Sequence, residues 1–395
     1  MTSDKTKSGF VEIDASALKS GQVLASDVFD GDSLLLRAGT KITDGFLAAL
    51  HKRGITRVEV SGETAGMLKS RAGEASGKDS LEAERHTLEL IEESGIQLSV
   101  DPEVLEEVSD CMEDVFTRLT QGMQVDLNII KAPVAKAISQ SLSRPNAAIK
   151  LLDVKHYDFY TFGHSVNVGL LFLALCRDQF PAAEIEKLAM GAVLHDIGKT
   201  KIPLEIIRKP GPLDAHEWNL IKKHPEFGAE ILEEHGGFCE EAVWIAHQHH
   251  ERWDGGGYPR GLKGDETHLV GQLAAVCDVY DALTTTRSYK PKMEFHDAMS
   301  IIVQGSGTQF SPRAVRTICS TVGLYPVGTF VMLSDGSVGV VRAVNAMVLV
   351  RPEVMLLYDE RKRRIAPPKR LSLESSQDLT IARQLTSAEV GAMRG

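Results

Sequence analysis

The sequence IEKLAMGAVLHDIGK occupies residues 185–199 and sets the expectation for the fold of the chain. Its apolar residues recur at three- and four-residue spacing, which predicts a packed helix that ends just before Gly198. His195 and Asp196 stand at the end of this helix, where neighbouring side chains diverge by about 100°. One of the pair can therefore bind one metal ion while the aspartate, with its two oxygens, bridges to a second.

The same helical spacing extends in both directions along the chain. It recurs in VNVGLLFLALC at 166–176, AVWIA at 242–246 and GQLAAVCDVYDAL at 271–283. Few segments between residues 148 and 323 alternate as strands do, so we expect an all-helical domain there. The fold class is therefore mainly α, with small flanking units whose hydrophobic patterns are different.

The flanking segments predict a small domain on either side of the helical one. Residues 9–62 predict a small α+β regulatory or interaction domain, with a hairpin in DGDSLLLRAGT and a helix in ITDGFLAALHKRGI. Residues 63–147 combine a linker rich in Gly, Ser and charge with helices that lead into the helical domain. Residues 324–370 alternate and contain DG turns, which predicts a small β-rich unit, and 371–395 are expected to be a polar tail.

The composition narrows the class of protein. The net charge of −10 argues against a nucleic-acid binder that relies on a broad basic surface. The five cysteines are dispersed and contain no CxxC pair, which fits a reducing compartment. The N-terminus is not typical of a secretory signal, and the longest apolar stretch is far shorter than a membrane span. We therefore expect a cytoplasmic protein without a membrane span.

Histidine and aspartate are concentrated where a metal centre would need them. Ten of the thirteen histidines fall between His156 and His268. Imidazoles and carboxylates together bind iron, manganese, zinc and similar ions. Two such ions would lower the pKa of a bridging water so that hydroxide exists at neutral pH, and would neutralise phosphate oxygens. The candidate ligands are His164, His195, Asp196, His224, His249, His250 and Asp278.

Two further residues are candidates for orienting the ligands. Asp281 lies three residues after Asp278 and shares its helix face, so we expect its carboxylate to hold a histidine N–H. His247 is close in sequence to His249, and we assign it the same orienting role or a structural one.

Basic residues near the candidate ligands suit a phosphate. Lys199 lies three residues after Asp196, and Arg287 and Lys290 follow Asp278 by nine and twelve residues. Arg binds phosphate in a bidentate manner, whereas Lys acts as a point charge. Arg252 could also bind phosphate, or could form a structural ion pair with Asp254. We assign Asp196 and Lys199 the catalytic roles.

The strings HDIGK (195–199), HHERWDGGGYP (249–259) and DVYDALTTTRSYK (278–290) together resemble the HD-GYP family, a branch of the HD-domain phosphohydrolases. The resemblance covers residues 148–323. It implies a helical bundle with a metal centre that hydrolyses cyclic di-GMP to linear pGpG, or to GMP after a second cleavage. By position, the seven candidate ligands match the family's, Asp196 would bridge the ions, and Lys199, Arg287 and Lys290 match positions that contact substrate phosphate.

The resemblance also bears on partners and on the number of ions. Gly257, Tyr258 and Pro259 match the family's signature loop, which is linked to contacts with diguanylate cyclase (GGDEF) domains. The glycines before Tyr258 also predict an unusual loop for structural reasons alone. Some members hold a third metal through a glutamate where this chain has Tyr160, so we expect two divalent ions per chain, with iron or manganese as first choices. Ser288 replaces a proline that is common between the positions of Arg287 and Tyr289, which affects the stiffness of the loop there.

Two alternatives to this function remain open. One keeps the metal centre and changes the substrate to another cyclic dinucleotide or nucleotide phosphate. The other is a sensor or scaffold that binds cyclic di-GMP and acts through protein contacts. The complete ligand set favours an enzyme, because a sensor has no need for an activated hydroxide. The sequence leaves open the signal received by residues 9–62 and whether the chain forms a homodimer.

Overall fold

A computed structural model describes most of the chain as two compact units, residues 1–85 and 86–395. The described residues are 10–14, 28–30, 33–36, 57–61, 83, 85–144, 147–148, 160–209, 211–285, 293–376 and 378–393.

The first unit contains two antiparallel strand pairs. Strand β1 (Phe10–Asp14) pairs with β4 (Arg57–Ser61), and β2 (Val28–Asp30) pairs with β3 (Ser33–Leu36). The second pair is the strand arrangement that DGDSLLLRAGT predicts. The helix predicted in ITDGFLAALHKRGI lies outside the described residues.

The second unit is mostly helical up to residue 322. Short 3₁₀ segments at Leu127–Ile130, Ile197–Lys201 and Gly264–Glu266 connect some of its helices. Residues 86–93 are helical. The helices that follow are α1 (Pro102–Thr120), α2 (Lys131–Ser143), α3 (Tyr160–Cys176), α4 (Ala182–Val193), α5 (Leu204–Ile207), α6 (Ala215–Ile221), α7 (His224–His235), α8 (Glu240–Gln248), α9 (Leu269–Thr284), α10 (Phe295–Gln304) and α11 (Pro312–Val322).

Helices α3 and α9 occupy the middle of this core. Both are apolar on nearly every side, which is typical of a helix that is enclosed by others. Their few polar residues are therefore buried and need partners inside the protein. His164 and Asn167 on α3 and Asp278 and Asp281 on α9 are such residues, and the packing of the two helices brings them together.

A five-stranded antiparallel sheet follows the helices. Its strands are β5 (Phe330–Leu333), β6 (Val338–Ala343), β7 (Glu353–Tyr358), β8 (Arg364–Ser372) and β9 (Ile381–Gln384), in the order β8-β7-β6-β5-β9. Its buried face forms a small core with Leu90 and Ile96, which precede α1. The predicted mainly helical fold with a β-rich C-terminal unit is thus confirmed.

The C-terminal segment differs from the expected polar tail. Residues from 371 onward contribute β9, which pairs with β5, and a short helix, α12 (Ser387–Gly391). Leu373, Leu385 and Val390 are buried. A few well-spaced apolar residues are enough to anchor the segment, although its average composition is polar. Among the described residues, no helix is both long and apolar enough to cross a membrane.

Candidate metal centre

His195 and Asp196 lie at the junction between α4 and the 3₁₀ segment Ile197–Lys201, and both are buried. Gly198 fixes the position of this junction. A Cβ atom at residue 198 would lie 2.0 Å from the carbonyl oxygen of His224 and 2.4 Å from the backbone nitrogen of Gly228. Only glycine allows this close approach, which brings the start of α7 against the junction and places His224 beside Asp196.

The buried polar residues form two groups that share one aspartate. The ligand atoms within each group lie within 4.8 Å of one another. The first group is His164, His195 and Asp196, and the second is Asp196, His224, His249 and His250.

The two carboxylate oxygens of Asp196 face different groups. Oδ1 lies 3.2 Å from Nε2 of His224 and 3.8 Å from Nε2 of His249. Oδ2 lies 3.5 Å from Nε2 of His195 and 3.9 Å from Nε2 of His164. A carboxylate placed in this way can bind one cation through each oxygen.

The protonation of three histidines follows from their backbone partners. In each, Nδ1 contacts a carbonyl oxygen, which can only accept, so Nδ1 carries the hydrogen and the neutral ring leaves a lone pair on Nε2. The carbonyls belong to Ala192 for His195 (2.8 Å), Ile221 for His224 (2.6 Å) and Ala246 for His249 (2.9 Å).

These lone pairs converge in a way that suits a cation. Nε2 of His224 and Nε2 of His249 are 3.2 Å apart, so in the neutral rings two acceptors face each other. Nε2 of His195 and Oδ1 of Asp196 are buried without a hydrogen-bond partner among the described residues. Buried acceptors without donors are costly, and a divalent ion in each group would satisfy them. The residues present therefore fit a metal.

His164 is oriented by a carboxylate instead of a carbonyl. Its Nδ1 donates to Oδ2 of Asp281 at 2.7 Å. Asn167 Nδ2 and Thr285 Oγ1 donate to the other oxygen of Asp281, at 2.8 Å and 2.7 Å. Nε2 of His164 then points to Oδ1 of Asp278 at 3.0 Å. Asp281 thus occupies the orienting position that the sequence predicts for it.

Electrostatics keep most of the cluster in the forms that bind metals. Burial lowers the pKa of His195, lowers that of His249 well below its usual value, and lowers that of His250 to about 3, so these rings are neutral at pH 7. Burial raises the pKa of Asp196, but Lys199 and the neighbouring histidines outweigh it and hold that pKa well below the usual range. Neutral imidazoles around an ionised carboxylate are the ligand forms of a metal site.

His164 differs in this respect. Burial lowers its pKa, but the hydrogen bonds to Asp278 and Asp281 outweigh burial and raise the pKa to about 9. Its position between two carboxylates therefore favours a cation at Nε2, either a proton or a metal ion.

The signature loop is held against the cluster by Glu251. This buried carboxylate accepts the backbone N–H of Arg260 at 2.8 Å and that of Leu262 at 3.0 Å. A Cβ atom at Gly257 would lie 2.4 Å from the backbone nitrogen of Arg252, so the loop crosses the chain at a point where only glycine fits. The Tyr258 ring then stacks on His250, with centroids 4.7 Å apart.

The structure also locates the remaining predicted residues. The Lys199 ammonium contacts Oδ2 of Asp196, and the Lys199 side chain is 24% exposed, at the rim of the cluster. Arg252 forms a two-point ion pair with Asp254, with N···O distances of 3.1 Å and 2.7 Å, so its charge is already neutralised. Pro259 lies in the loop after Tyr258. Arg287 and Lys290 lie outside the described residues.

His247 is not part of the cluster. Within the described part of the chain it makes no hydrogen bond or ion pair with the candidate ligands, which corrects the orienting role considered for it. Two residues turn a helix by about 200°. His247, in the last turn of α8, and His249, directly after it, therefore point in nearly opposite directions.

A cavity of about 370 Å³ opens beside His249 and His250. Trp218, Lys222 and Glu251 line it, and no role was predicted for any of the three from the sequence. Glu251 stands within the string HHERWDGGGYP, and that position was its only signal. A lone tryptophan and a lone lysine in an amphipathic segment are ordinary surface residues as far as the sequence shows.

Comparisons with known proteins agree with this architecture. A family model described as an HD domain matches residues 161–314, and one described as a KOW domain associated with HD domain matches residues 330–392. A cyclic di-GMP phosphodiesterase of Pseudomonas aeruginosa is 35% identical over 250 residues, which are 63% of this chain and 60% of that protein. A 3'3'-cGAMP-specific phosphodiesterase of Vibrio cholerae is 30% identical over 249 residues, which are 60% of this chain and 52% of that protein.

The chain thus spans between half and two thirds of the length of these two relatives. Among solved structures, an HDG"Y"P protein from Bdellovibrio bacteriovorus is 20% identical and has a TM-score of 0.43, covering 78% of this chain and 98% of that one.

Proposed function

We propose that the chain belongs to the HD-GYP branch of the HD-domain family and that it is a metal-dependent phosphodiesterase that hydrolyses a cyclic dinucleotide. The preferred substrate is cyclic di-GMP and the product is linear pGpG, or GMP after a second cleavage. One observation carries the proposal most directly. The two oxygens of Asp196 face two separate sets of imidazole Nε2 atoms, which is what a pair of divalent ions requires.

Each proposed ion has a set of side chains to hold it. His164 and His195 hold one ion, His224, His249 and His250 hold the other, and Asp196 belongs to both sets. Asp278 lies between the sets, because its Oδ1 is 3.0 Å from Nε2 of His164 and its Oδ2 is 3.8 Å from Nδ1 of His250. Divalent ions of this kind, iron or manganese by preference, would acidify a water molecule and neutralise phosphate charge.

The residues around the proposed ions have their own tasks. Lys199 neutralises part of the charge on Asp196, and its partly exposed side chain can turn the ammonium to a substrate phosphate. Arg287 and Lys290 are proposed phosphate-binding residues on the strength of the family resemblance. The loop Gly257–Pro259 closes the site over His250 and is the proposed contact for diguanylate cyclase (GGDEF) domains.

The choice of dinucleotide has two candidates. Most of the similar curated proteins are named cyclic di-GMP phosphodiesterases, but others are named 3'3'-cGAMP-specific. Both substrates contain two purine nucleotides joined by two phosphodiesters, so the same metal centre would serve either. The second candidate is therefore 3'3'-cGAMP, and one assay can compare the two.

The test is hydrolysis of both dinucleotides by protein purified without chelator, with metal content measured by mass spectrometry. We expect linear product and about two ions per chain. Asp196→Ala removes the residue shared by both groups, so we expect no measurable hydrolysis and loss of both ions. Asp114→Ala is the matched control, because Asp114 lies at the surface of α1 and its ion pair among the described residues is with Arg118, a surface contact of little energetic value.

Other results would redirect the proposal. Bound metal without hydrolysis of any cyclic dinucleotide, even after reconstitution with iron or manganese, contradicts the phosphodiesterase. Binding of cyclic di-GMP under those conditions would point to the sensor or scaffold function, in which Asp196→Ala leaves signalling intact.

A further inference from the structure

The cavity beside the metal centre has one aromatic wall. The Trp218 indole on α6 meets the Tyr258 ring of the signature loop with centroids 6.4 Å apart and planes at 74°. Tyr258 is already engaged, because it stacks on His250. Trp218 keeps 46% of its surface exposed. An indole left in water at the edge of a polar site offers a surface on which a flat ring can stack.

A positive charge lies next to this indole. Lys222 follows Trp218 by four residues and stands directly after α6 in a helical conformation, so both side chains project from the same side, and both line the cavity. Within the described residues Lys222 forms no ion pair, whereas the other cation at the cavity, Arg252, is neutralised by Asp254. The Lys222 ammonium is therefore available to an anion that enters the cavity.

The rest of the cavity suits a heterocycle. Ala275, Val279 and Phe310 provide apolar surface, and the Gln309 side chain supplies an amide that forms no hydrogen bond with other described residues. Such an amide can donate to and accept from the polar edge of a base. An aromatic wall, apolar surface, one amide and one cation together match a nucleotide.

We propose, on the basis of the function proposed above, that Trp218 and Lys222 form the subsite for the substrate nucleotide that lies away from the metal centre. Trp218 stacks on its purine and Lys222 pairs with its phosphate. Stacking does not distinguish guanine from adenine, because every base has a π face. The subsite therefore binds cyclic di-GMP and 3'3'-cGAMP alike, and selection between them must come from other residues.

The first test is steady-state hydrolysis by Trp218→Ala and Trp218→Phe. We expect Trp218→Ala to raise KM for both dinucleotides by about tenfold or more, with kcat changed by less than about threefold. Trp218→Phe keeps an aromatic ring and should fall between wild type and Trp218→Ala. Lys222→Ala should raise KM and weaken its dependence on salt, whereas Lys223→Ala, which removes a neighbouring exposed charge, should leave both unchanged.

The second test needs no catalysis. The chain has three tryptophans, and stacking of GMP on Trp218 should quench part of their fluorescence in metal-free protein. The quenching should be lost in Trp218→Phe and kept in Trp244→Phe, because Trp244 packs against His268 with centroids 4.4 Å apart. Ribose 5-phosphate, which lacks a base, should not quench.

The outcomes separate this subsite from the proposed function. Unchanged KM in Trp218→Ala and Lys222→Ala, in an active enzyme, overturns the subsite and leaves the phosphodiesterase in place. Quenching by GMP that depends on Trp218, in a protein whose metal-loaded form does not hydrolyse either dinucleotide, supports the subsite and counts against the phosphodiesterase. Absence of quenching in wild type also overturns the subsite.

Discussion

Four histidines of the cluster are oriented in two different ways. Three of them donate Nδ1–H to the carbonyl of the residue three positions earlier, a contact that lies within their own turn of chain. His164 donates to Asp281, which is 117 residues away. The first arrangement needs only a correctly formed helix end. The second needs α3 packed against α9, so His164 is oriented only when the core is assembled.

The two proposed ion sites differ in how their histidines are oriented. The group of His224, His249 and His250 contains two carbonyl-oriented rings, whereas the group of His164 and His195 depends on Asp281 as well. A carboxylate partner raises the basicity of an imidazole more than a carbonyl does. The two sites should therefore respond differently to the loss of a ligand or of an orienting residue.

The largest effect is expected from removing one histidine of either group. His195→Ala and His249→Ala should each reduce metal content from about two ions to about one, because each leaves the other group intact, and both should abolish hydrolysis. Mass spectrometry of the purified variants measures the metal content, and a parallel assay measures turnover.

His296→Ala is the matched control, since His296 is an exposed histidine on α10 and should leave metal content and turnover unchanged. If either cluster variant loses both ions, the two groups bind cooperatively and the division into separate sites is wrong.

A smaller effect is expected from the residue that orients His164. Asp281→Asn replaces one of the two accepting oxygens with an NH₂ group. This NH₂ donor would then face at least one of the three donors that surround residue 281, and that hydrogen bond would be lost. We expect metal affinity at the first group to fall by about 10- to 100-fold, as is typical for partners of ligating histidines. Competition with a chelator measures this affinity.

Thr285→Val is the comparison for Asp281→Asn. It removes one hydrogen bond to Asp281, of 2.7 Å, and leaves the carboxylate in place. Its effect on metal affinity should be clearly smaller. Equal effects would mean that the packing around Asp281, and not its charge, orients His164.

The sequence predicted the members of this cluster because their chemistry leaves few alternatives. Adjacent pairs such as His195–Asp196 and His249–His250 on apolar helices have no packing purpose, and buried polar side chains need partners. The helical domain and the β-rich unit were also predictable, since their hydrophobic periods differ.

Side-chain direction and long-range contact were harder to predict. His247 and His249 look equivalent in sequence, but the helix turns them to opposite sides. Leu385 and Val390 are single apolar residues in a polar segment, and only the sheet and its core show why they are buried. Trp218 belongs to a short surface helix, and its role depends on a loop 40 residues later that no local pattern connects to it.

His250 is oriented neither by a backbone carbonyl nor by Asp281, and the smallest effect is expected from disturbing its contacts. Its Nδ1 faces Asp278 at 3.8 Å, and its ring is held by stacking on Tyr258. The loop that carries Tyr258 is fixed by Glu251, which accepts two backbone N–H groups. Glu251→Gln leaves one of these N–H groups facing an NH₂ group, so we expect the loop to loosen and the protein to lose about 1–3 kcal/mol of stability.

Glu251→Gln should also raise KM several-fold while metal content stays at the wild-type value, because His224, His249 and Asp196 keep their positions. Thermal unfolding, kinetics and mass spectrometry measure the three quantities. Glu266→Gln is the control, since Glu266 accepts one backbone N–H in the same loop but is exposed, and its effect on stability should stay within about 0.5 kcal/mol. Loss of metal in Glu251→Gln would contradict this expectation. It would show that His250 depends on stacking with Tyr258 as much as the other histidines depend on their hydrogen bonds to carbonyls or to Asp281.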